Sequence, residues 1–266
     1  MTATVRASSG FDLGLTGKVV LVTGGVRGVG LGIVRVLAEF GAIPVACARH
    51  RNDALDAVAG AGFAACDVRD EDAVADTLAG IVAEHGRVDG VVNNAGGSPF
   101  ALAADASPRF ATKIIELNLV APLIVARAAH AVMRTQEGGG AIVNISSVSG
   151  HRPSPGTSAY GAAKAGLDNL TGSLAVEWAP RVRVNSVVAG PVETEQAHLH
   201  YGDDDGVAAV GRTIPMGRMA RPADVGTAAA FLLSPLAAYI TGSTLTVHGG
   251  GERPAFLAAS TAGNDG

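Results

Sequence analysis

The stretch Val19-Val20-Leu21-Val22-Thr23-Gly24-Gly25-Val26-Arg27-Gly28-Val29-Gly30 decides the fold. Its first five residues are aliphatic or β-branched and read as a buried strand. The glycines that follow read as a tight turn, and the apolar spacing beyond them reads as a helix through about Phe40. A strand, a glycine-rich turn and a helix leave backbone N–H groups and a positive helix end facing outward, where a pyrophosphate can sit. The spacing is G-x3-G-x-G rather than G-x-G-x-x-G, so the turn alone is a weak signal. Thr23, Gly24, Arg27, Gly28, Val29 and Gly30 are the candidate phosphate-side residues.

The same alternation continues outward. Residues 43–48, 63–67, 88–93, 141–146, 182–188 and 244–247 read as further short strands. Residues 52–60, 70–85, 107–136, 157–178 and 222–233 read as helices. In 70–85 the helical spacing is carried by Val74, Leu78, Ile81 and Val82. Gly138, Gly139 and Gly140 break the long helix before the next strand. Strands alternating with helices imply an α/β fold with helices on both faces of a mostly parallel sheet, and right-handed crossovers make it doubly wound. The expectation is one seven-stranded domain over residues 1–266. Three segments lie outside the periodic part: an N-terminal extension, 1–14; a polar stretch rich in His, Asp and Gly, 193–217; and a small-residue tail, 252–266, expected to be loose at its end.

Composition excludes several classes. The chain has 266 residues, of which 48% are hydrophobic and 17% charged, too apolar for a disordered chain. Its 36 glycines show no three-residue period and there are 12 prolines, which excludes collagen. A net charge of −4 without a basic stripe argues against nucleic acid or an anionic membrane as partner. Cys47 and Cys66 each lie in an apolar run and read as buried free thiols; they make no disulfide framework and no metal site. Residues 1–18 lack the apolar centre of a signal peptide. No uninterrupted apolar run reaches the roughly 18 residues of a membrane span. The expectation is a soluble cytoplasmic protein.

A second chemical element is Tyr160-Gly161-Ala162-Ala163-Lys164. On a helix the tyrosine and lysine are i and i+4 and project from one face. An ammonium beside a phenol favours the phenolate and pulls its pKa down from about 10, a route to an acid or base near neutral pH. Ser147 stands thirteen residues before Tyr160, at the end of the strand containing Ile142-Val143-Asn144-Ile145-Ser146. Ser146 and Ser149 are alternatives on sequence alone. Asn93-Asn94-Ala95-Gly96 closes the preceding strand, and Asp67 ends the third. Polar or glycine residues thus collect at one edge of the sheet, the edge where open α/β sheets bind ligands.

Taken together, TGGVRGVG, CDV, NNAG, the asparagine of ELNLV, ISS, YGAAK and NSVVAGPVET resemble the short-chain dehydrogenase/reductase family, of the compact single-domain type with a Rossmann-like fold. The resemblance runs from about Leu15 to Gly250. It implies that Tyr160 is the general acid or base and that Lys164 lowers its pKa and binds the nicotinamide ribose. It implies that Ser147, favoured by the thirteen-residue offset, holds the substrate oxygen. Asn118 matches the family asparagine that shapes the active-site helix and holds a relay water. Asn94, with Ala95 and Gly96, would help hold the adenosine side. Asp67 and Val68 would meet the adenine. Pro191, Val192 and Thr194 would border the nicotinamide carboxamide.

The end of the second strand reads Ala48-Arg49, with no acid for a ribose 2′-hydroxyl. Arg49 and Arg27 would suit a 2′-phosphate, so NADP(H) is favoured over NAD(H). Three features depart from the family pattern: Ala189 where proline is common, His248 where aspartate is usual, and the short link Ala179-Pro180-Arg181.

The expected activity is hydride transfer between a nicotinamide cofactor and a ketone or secondary alcohol. The 3-oxoacyl thioesters, steroid-like ketones and simple ketones all fit. A non-catalytic nucleotide-binding regulator, or an epimerase or dehydratase on the same fold, are the alternatives. Residues 193–217 would form a lid over the substrate, and Ser98, His151, His198 and Tyr201 are candidate substrate contacts. The family resemblance also implies a homotetramer. The tail, through Phe256 and Leu257, would dock on a neighbouring subunit or near the cleft.

Overall fold

A computed structural model describes residues 12–260. Residues 1–11, most of the expected N-terminal extension, and 261–266, the end of the expected tail, lie outside the described residues. The element order is β1 (Val19–Thr23), α1 (Gly28–Glu39), β2 (Ile43–Ala48), β3 (Gly62–Ala65), α2 (Glu71–His85), β4 (Gly90–Asn93) and α3 (Pro108–Ile115). A π-helical turn (Glu116–Val120) then leads into α4 (Ala121–Met133), β5 (Gly140–Ser147), α5 (Ser158–Trp178), β6 (Val182–Ala189), α6 (His198–Tyr201), α7 (Asp204–Thr213), α8 (Pro222–Leu233), β7 (Thr244–Val247) and α9 (Ala255–Ala259).

The strands form one sheet in the order β3-β2-β1-β4-β5-β6-β7, and every neighbouring pair is parallel. The order reverses between β1 and β4, which opens a crevice beyond their carboxyl ends. Alternating strand residues supply two cores. On one side Val20, Val22, Val143 and Ile145 pack with Ile33 and Leu37 of α1 and with Val225, Ala229 and Leu232 of α8. On the other, Leu21, Val91 and Ile142 pack with Leu78 of α2, Val125 and Met133 of α4 and Leu174 of α5. Fully burying each such aliphatic side chain stabilises the fold by about 1.5–3 kcal/mol.

Two polar arrangements lock the layers. Asn93 of β4 donates to Asn144 of β5 at 2.9 Å, and Asn144 donates to Thr171 of α5 at 2.8 Å. At the other end of the sheet, Arg183 of β6 donates to the carbonyls of Leu232, Leu233, Ser234 and Ile240 at 2.7–3.2 Å. The guanidinium thereby satisfies the open carbonyls at the end of α8.

The helix expected over 52–60 is a correction: only Asp53–Leu55 turns, as a 3-10 helix capped by the Asn52 side chain. Leu55 is its one buried residue, too small an apolar stripe to hold a longer helix. The long helix expected over 107–136 starts at Pro108 behind the Ser107 cap, ends at Met133 and carries the π turn in its middle. Taken as one helix, Pro108–Met133 is 26 residues long and apolar enough to span a bilayer. The expectation of no such segment therefore holds only for uninterrupted runs. Here Ala121, Val125, Ala126, Ala129 and Met133 are buried. The polar stretch 193–217 is largely helical, through α6 and α7, with Asp203 capping α7. Cys47 and Cys66 are free and buried, as expected.

Candidate active site

The glycine turn after β1 is shaped to admit an anion. Gly24 has φ +64°, a backbone that other residues rarely adopt. A Cβ on Gly30 would collide with the Gly24 carbonyl and the Asn94 amide. Thr23 pins the turn from below. Its hydroxyl donates to the Val92 carbonyl at 3.3 Å and accepts the Asn94 and Ala95 N–H groups at 2.9 and 3.0 Å. Asn94 donates to the Thr23 carbonyl at 3.0 Å. Thr23 and Asn94 therefore act on the turn itself.

The Gly28 N–H, at the start of α1, donates at 3.0 Å to the Glu195 carboxylate. An acidic oxygen already rests on this amide, which is what a phosphate oxygen requires. Glu195 belongs to the segment after β6 that carries Pro191, Val192 and Thr194. Val192 bridges to Ala220, and the Thr194 methyl lies over Gly28. The segment and the glycine turn thus face each other across the crevice.

Arg27 and Arg49 are exposed at the β1 and β2 ends, with Ala48 between strand and loop. Arg49 lies close enough to help hold the Asp67 carboxyl low. The larger cause is Arg69, which grips both carboxylate oxygens at 2.9 and 2.6 Å and keeps the Asp67 pKa near about 2. Val68 is buried in the core beside α2. The glycine cradle, with Arg27 and Arg49 exposed at its edge, fits a dinucleotide.

Tyr160, Lys164 and Ser147 come together at the ends of β5 and α5. Ser147 hydrogen-bonds Tyr160 and also accepts the Ser149 N–H at 3.2 Å. Ser146 is buried and donates to Asp168 at 2.7 Å, so of the three serines Ser147 is the one joined to the tyrosine. The Lys164 ammonium lies 5.6 Å from the Tyr160 ring centre and donates to the Ile145 carbonyl at 2.7 Å. Burial drives its pKa down to about 8, against the pull of Asp168. The Tyr160 pKa is raised, not lowered: burial outweighs the Ser147 hydrogen bond, and Tyr201 adds to it. The expected depression by Lys164 is absent because that ammonium is turned to the Ile145 carbonyl.

Asn118 sits on the π turn and is fully buried. It donates to the Gly97 and Ile114 carbonyls and accepts the Gly97 N–H, each at 2.9 Å. A Cβ on Gly96 would lie 2.5 Å from its oxygen and 3.5 Å from the Lys164 nitrogen. The asparagine thus fixes the β4–α3 loop against the lysine, and the extra residue of the π turn aims it there.

The candidate substrate residues separate. Tyr201 is half-buried, with a pKa raised by burial, and it acts on Tyr160. His198 is exposed on α6. Ser98 donates to the Pro99 carbonyl and lines a cavity of about 130 Å³ with Phe110 and Thr157. His151 lies 2.9 Å from Asp168. His248 accepts the Gly250 N–H at 3.3 Å and packs on Gly190, a structural placement.

Three residues were not anticipated from the sequence: Asp168, Glu195 and Arg69. Arg152 donates at 2.5 Å to Glu252, tying the β5–α5 loop to the tail beside Tyr201. Asp168 had a readable signal, being i+4 from Lys164. Gly28 and Glu195 are 167 residues apart, and no local pattern links them.

A family model described as enoyl-(acyl carrier protein) reductase matches residues 24–252. The 3-oxoacyl-(acyl-carrier-protein) reductase of Vibrio cholerae is 38% identical over 245 residues, covering 90% of this chain and 98% of that protein. An uncharacterized short-chain type dehydrogenase/reductase of Sinorhizobium fredii is 37% identical over 88% of this chain, which spans 43% of that protein's length. The ligand-free aldohexose dehydrogenase of Thermoplasma acidophilum superposes with a TM-score of 0.84 at 31% identity, over 90% of this chain and 96% of that one. The parallel sheet, the glycine turn at its switch point and these matches place the chain in the short-chain dehydrogenase/reductase family of NAD(P)-dependent oxidoreductases.

Proposed function

We propose that this chain reduces a ketone, or oxidises the corresponding secondary alcohol, with NADP(H) favoured over NAD(H). The observation that carries the reading is the junction of Ser147, Tyr160 and buried Lys164 at the sheet's carboxyl edge. The Tyr160 pKa is raised, so at neutral pH the phenol holds the proton that a carbonyl oxygen must receive. Ser147 holds that oxygen beside the phenol. Lys164 keeps a positive charge below the pair and would bind the nicotinamide ribose. Asn118 fixes the loop against which the lysine rests. When bound, the nicotinamide group supplies or accepts the hydride.

Gly24, Gly28, Val29 and Gly30 would cradle the pyrophosphate. Arg27 and Arg49 would take the 2′-phosphate, and Asp67, Val68, Ala95 and Gly96 would border the adenosine. Pro191, Val192 and Thr194 would close on the carboxamide, and residues 193–217 would cover the substrate. The Vibrio cholerae relative supports a 3-oxoacyl thioester as one substrate class; steroid-like and small ketones are the others. A homotetramer in the cytoplasm completes the proposal. The test is a turnover screen of the purified protein with NADPH and NADH over ketones and alcohols. Ketone-dependent loss of NADPH, faster than that of NADH, is expected. Failure with every ketone and alcohol would reject the reading.

A further inference from the structure

We propose that Asp168 is a positioning residue that ties the serine-bearing strand end to α5 and, one helical turn beyond Lys164, supplies that lysine's counter-charge. This rests on the carbonyl-reductase reading. Tyr160, Lys164 and Asp168 are i, i+4 and i+8 on α5, so the carboxylate continues the catalytic stripe by one more turn. Its side chain is only 10% exposed. One oxygen accepts the Ser186 hydroxyl of β6 at 2.7 Å. The other accepts the Ser146 hydroxyl of β5 at 2.7 Å and lies 2.9 Å from the His151 ring. One carboxylate thus binds the end of β5, the middle of β6 and the β5–α5 loop to α5. Ser146 immediately precedes Ser147, so the bond sets the direction in which the strand delivers the catalytic hydroxyl.

The same group is the charge that acts on Lys164 against its burial. Around the lysine stand Tyr160 and Asp168 from α5, the Ile145 carbonyl and Ser147 from β5, Gly96 from the β4–α3 loop, and Asn118 from the π turn. Of these, Asp168 is the one carboxyl group. His151 faces Asp168 from the loop. A burial penalty on an ammonium is lessened by a nearby carboxylate. Removing the charge therefore pushes the lysine toward its neutral form at lower pH.

Two measurements test this in the whole protein. The first is the pH profile of kcat/KM in ketone reduction. Asp168→Asn keeps a hydrogen-bonding group without the charge and is expected to move the alkaline limb down by about 1 pH unit. Ser186→Ala removes a hydrogen bond and leaves the charge, so it should lower stability without moving the limb. Should Asp168→Asn not fold, Asp168→Ser gives the same test. The second measurement needs no substrate: a double-mutant cycle in urea unfolding at pH 7 with Asp168→Asn and Lys164→Met. Lys164→Met should stabilise more in the Asp168→Asn background than in the wild type. Additive effects overturn the proposal whatever the rates do, because they leave Asp168 a structural tie only. Wild-type protein inactive on every ketone would instead overturn the carbonyl-reductase reading and leave the cycle to decide this one.

Discussion

The Lys164 ammonium donates to the Ile145 carbonyl at 2.7 Å, and the residue is 3% exposed. A cation is thus held between a helix and a strand end with almost no water. Burial lowers its pKa to about 8, below the roughly 10.4 of a free lysine. The unfolded chain binds the proton more tightly, so the sign is fixed. Below pH 8 the buried charge destabilises the fold in full, by about 3 kcal/mol for a shift of this size. That penalty disappears as pH rises from about 8 through about 10.4. Lys164→Met is therefore expected to raise unfolding stability at pH 7 by about 1–3 kcal/mol, allowing for the lost hydrogen bond. The gain should shrink by pH 10.5, and activity should be lost. Urea unfolding at the two pH values checks it, and a less stable variant at pH 7 refutes it.

Tyr160→Phe removes the proton donor and leaves the ring. Turnover is expected to fall by about 10²–10⁴. NADPH affinity, read by quenching or calorimetry, should stay within about twofold, since the glycine turn and arginines are untouched. A variant with full turnover would sink the acid role.

Arg27 and Arg49 are both exposed, and each is free to turn toward a phosphate. Replacing both with Ala should raise the KM for NADPH by about 10–100-fold while leaving that for NADH nearly unchanged, the range expected for losing charge-assisted hydrogen bonds at an exposed site. Equal weakening of both cofactors would show that the pair has no part in choosing between them.

Glu195 rests on the Gly28 amide at 3.0 Å. An incoming phosphate has to take that amide and also meets the carboxylate's charge. Glu195→Gln is expected to tighten NADPH binding by about two- to fivefold, the scale of one charge at a helix N-terminus. The gain should diminish at high salt. Titration of the variant at two ionic strengths checks this; weaker binding would mean that Glu195 supports the cofactor.

The strands were legible because β-branched runs such as Val19–Thr23 bury both faces and have to sit in the middle of a sheet. The shared helix face of Tyr160 and Lys164 was legible because i and i+4 spacing is local. What escaped was non-local or was hidden by composition. Helix α7 lies in a segment dominated by His, Asp and Gly. Its cap, Asp203, and the acidic first turn Asp204-Asp205 were the available signals. The raised Tyr160 pKa could not be read from the lysine's spacing, because burial decides its sign. Arg69 holds Asp67 through a turn rather than a periodic element, so no pattern announced it.

Arg183 stands at the amino end of β6, the full length of the strand from the chemistry, and its guanidinium holds four carbonyl oxygens. Only a planar, multi-pronged donor can serve that many acceptors at once. Substitutions there are expected to weaken the fold and so to lower activity without touching the chemistry. A survey of activity-lowering changes in this chain would therefore mix two kinds of loss, one from chains that fold and do no chemistry, the other from chains that less often assemble the place where chemistry happens. Only a binding or melting measurement beside each rate tells them apart.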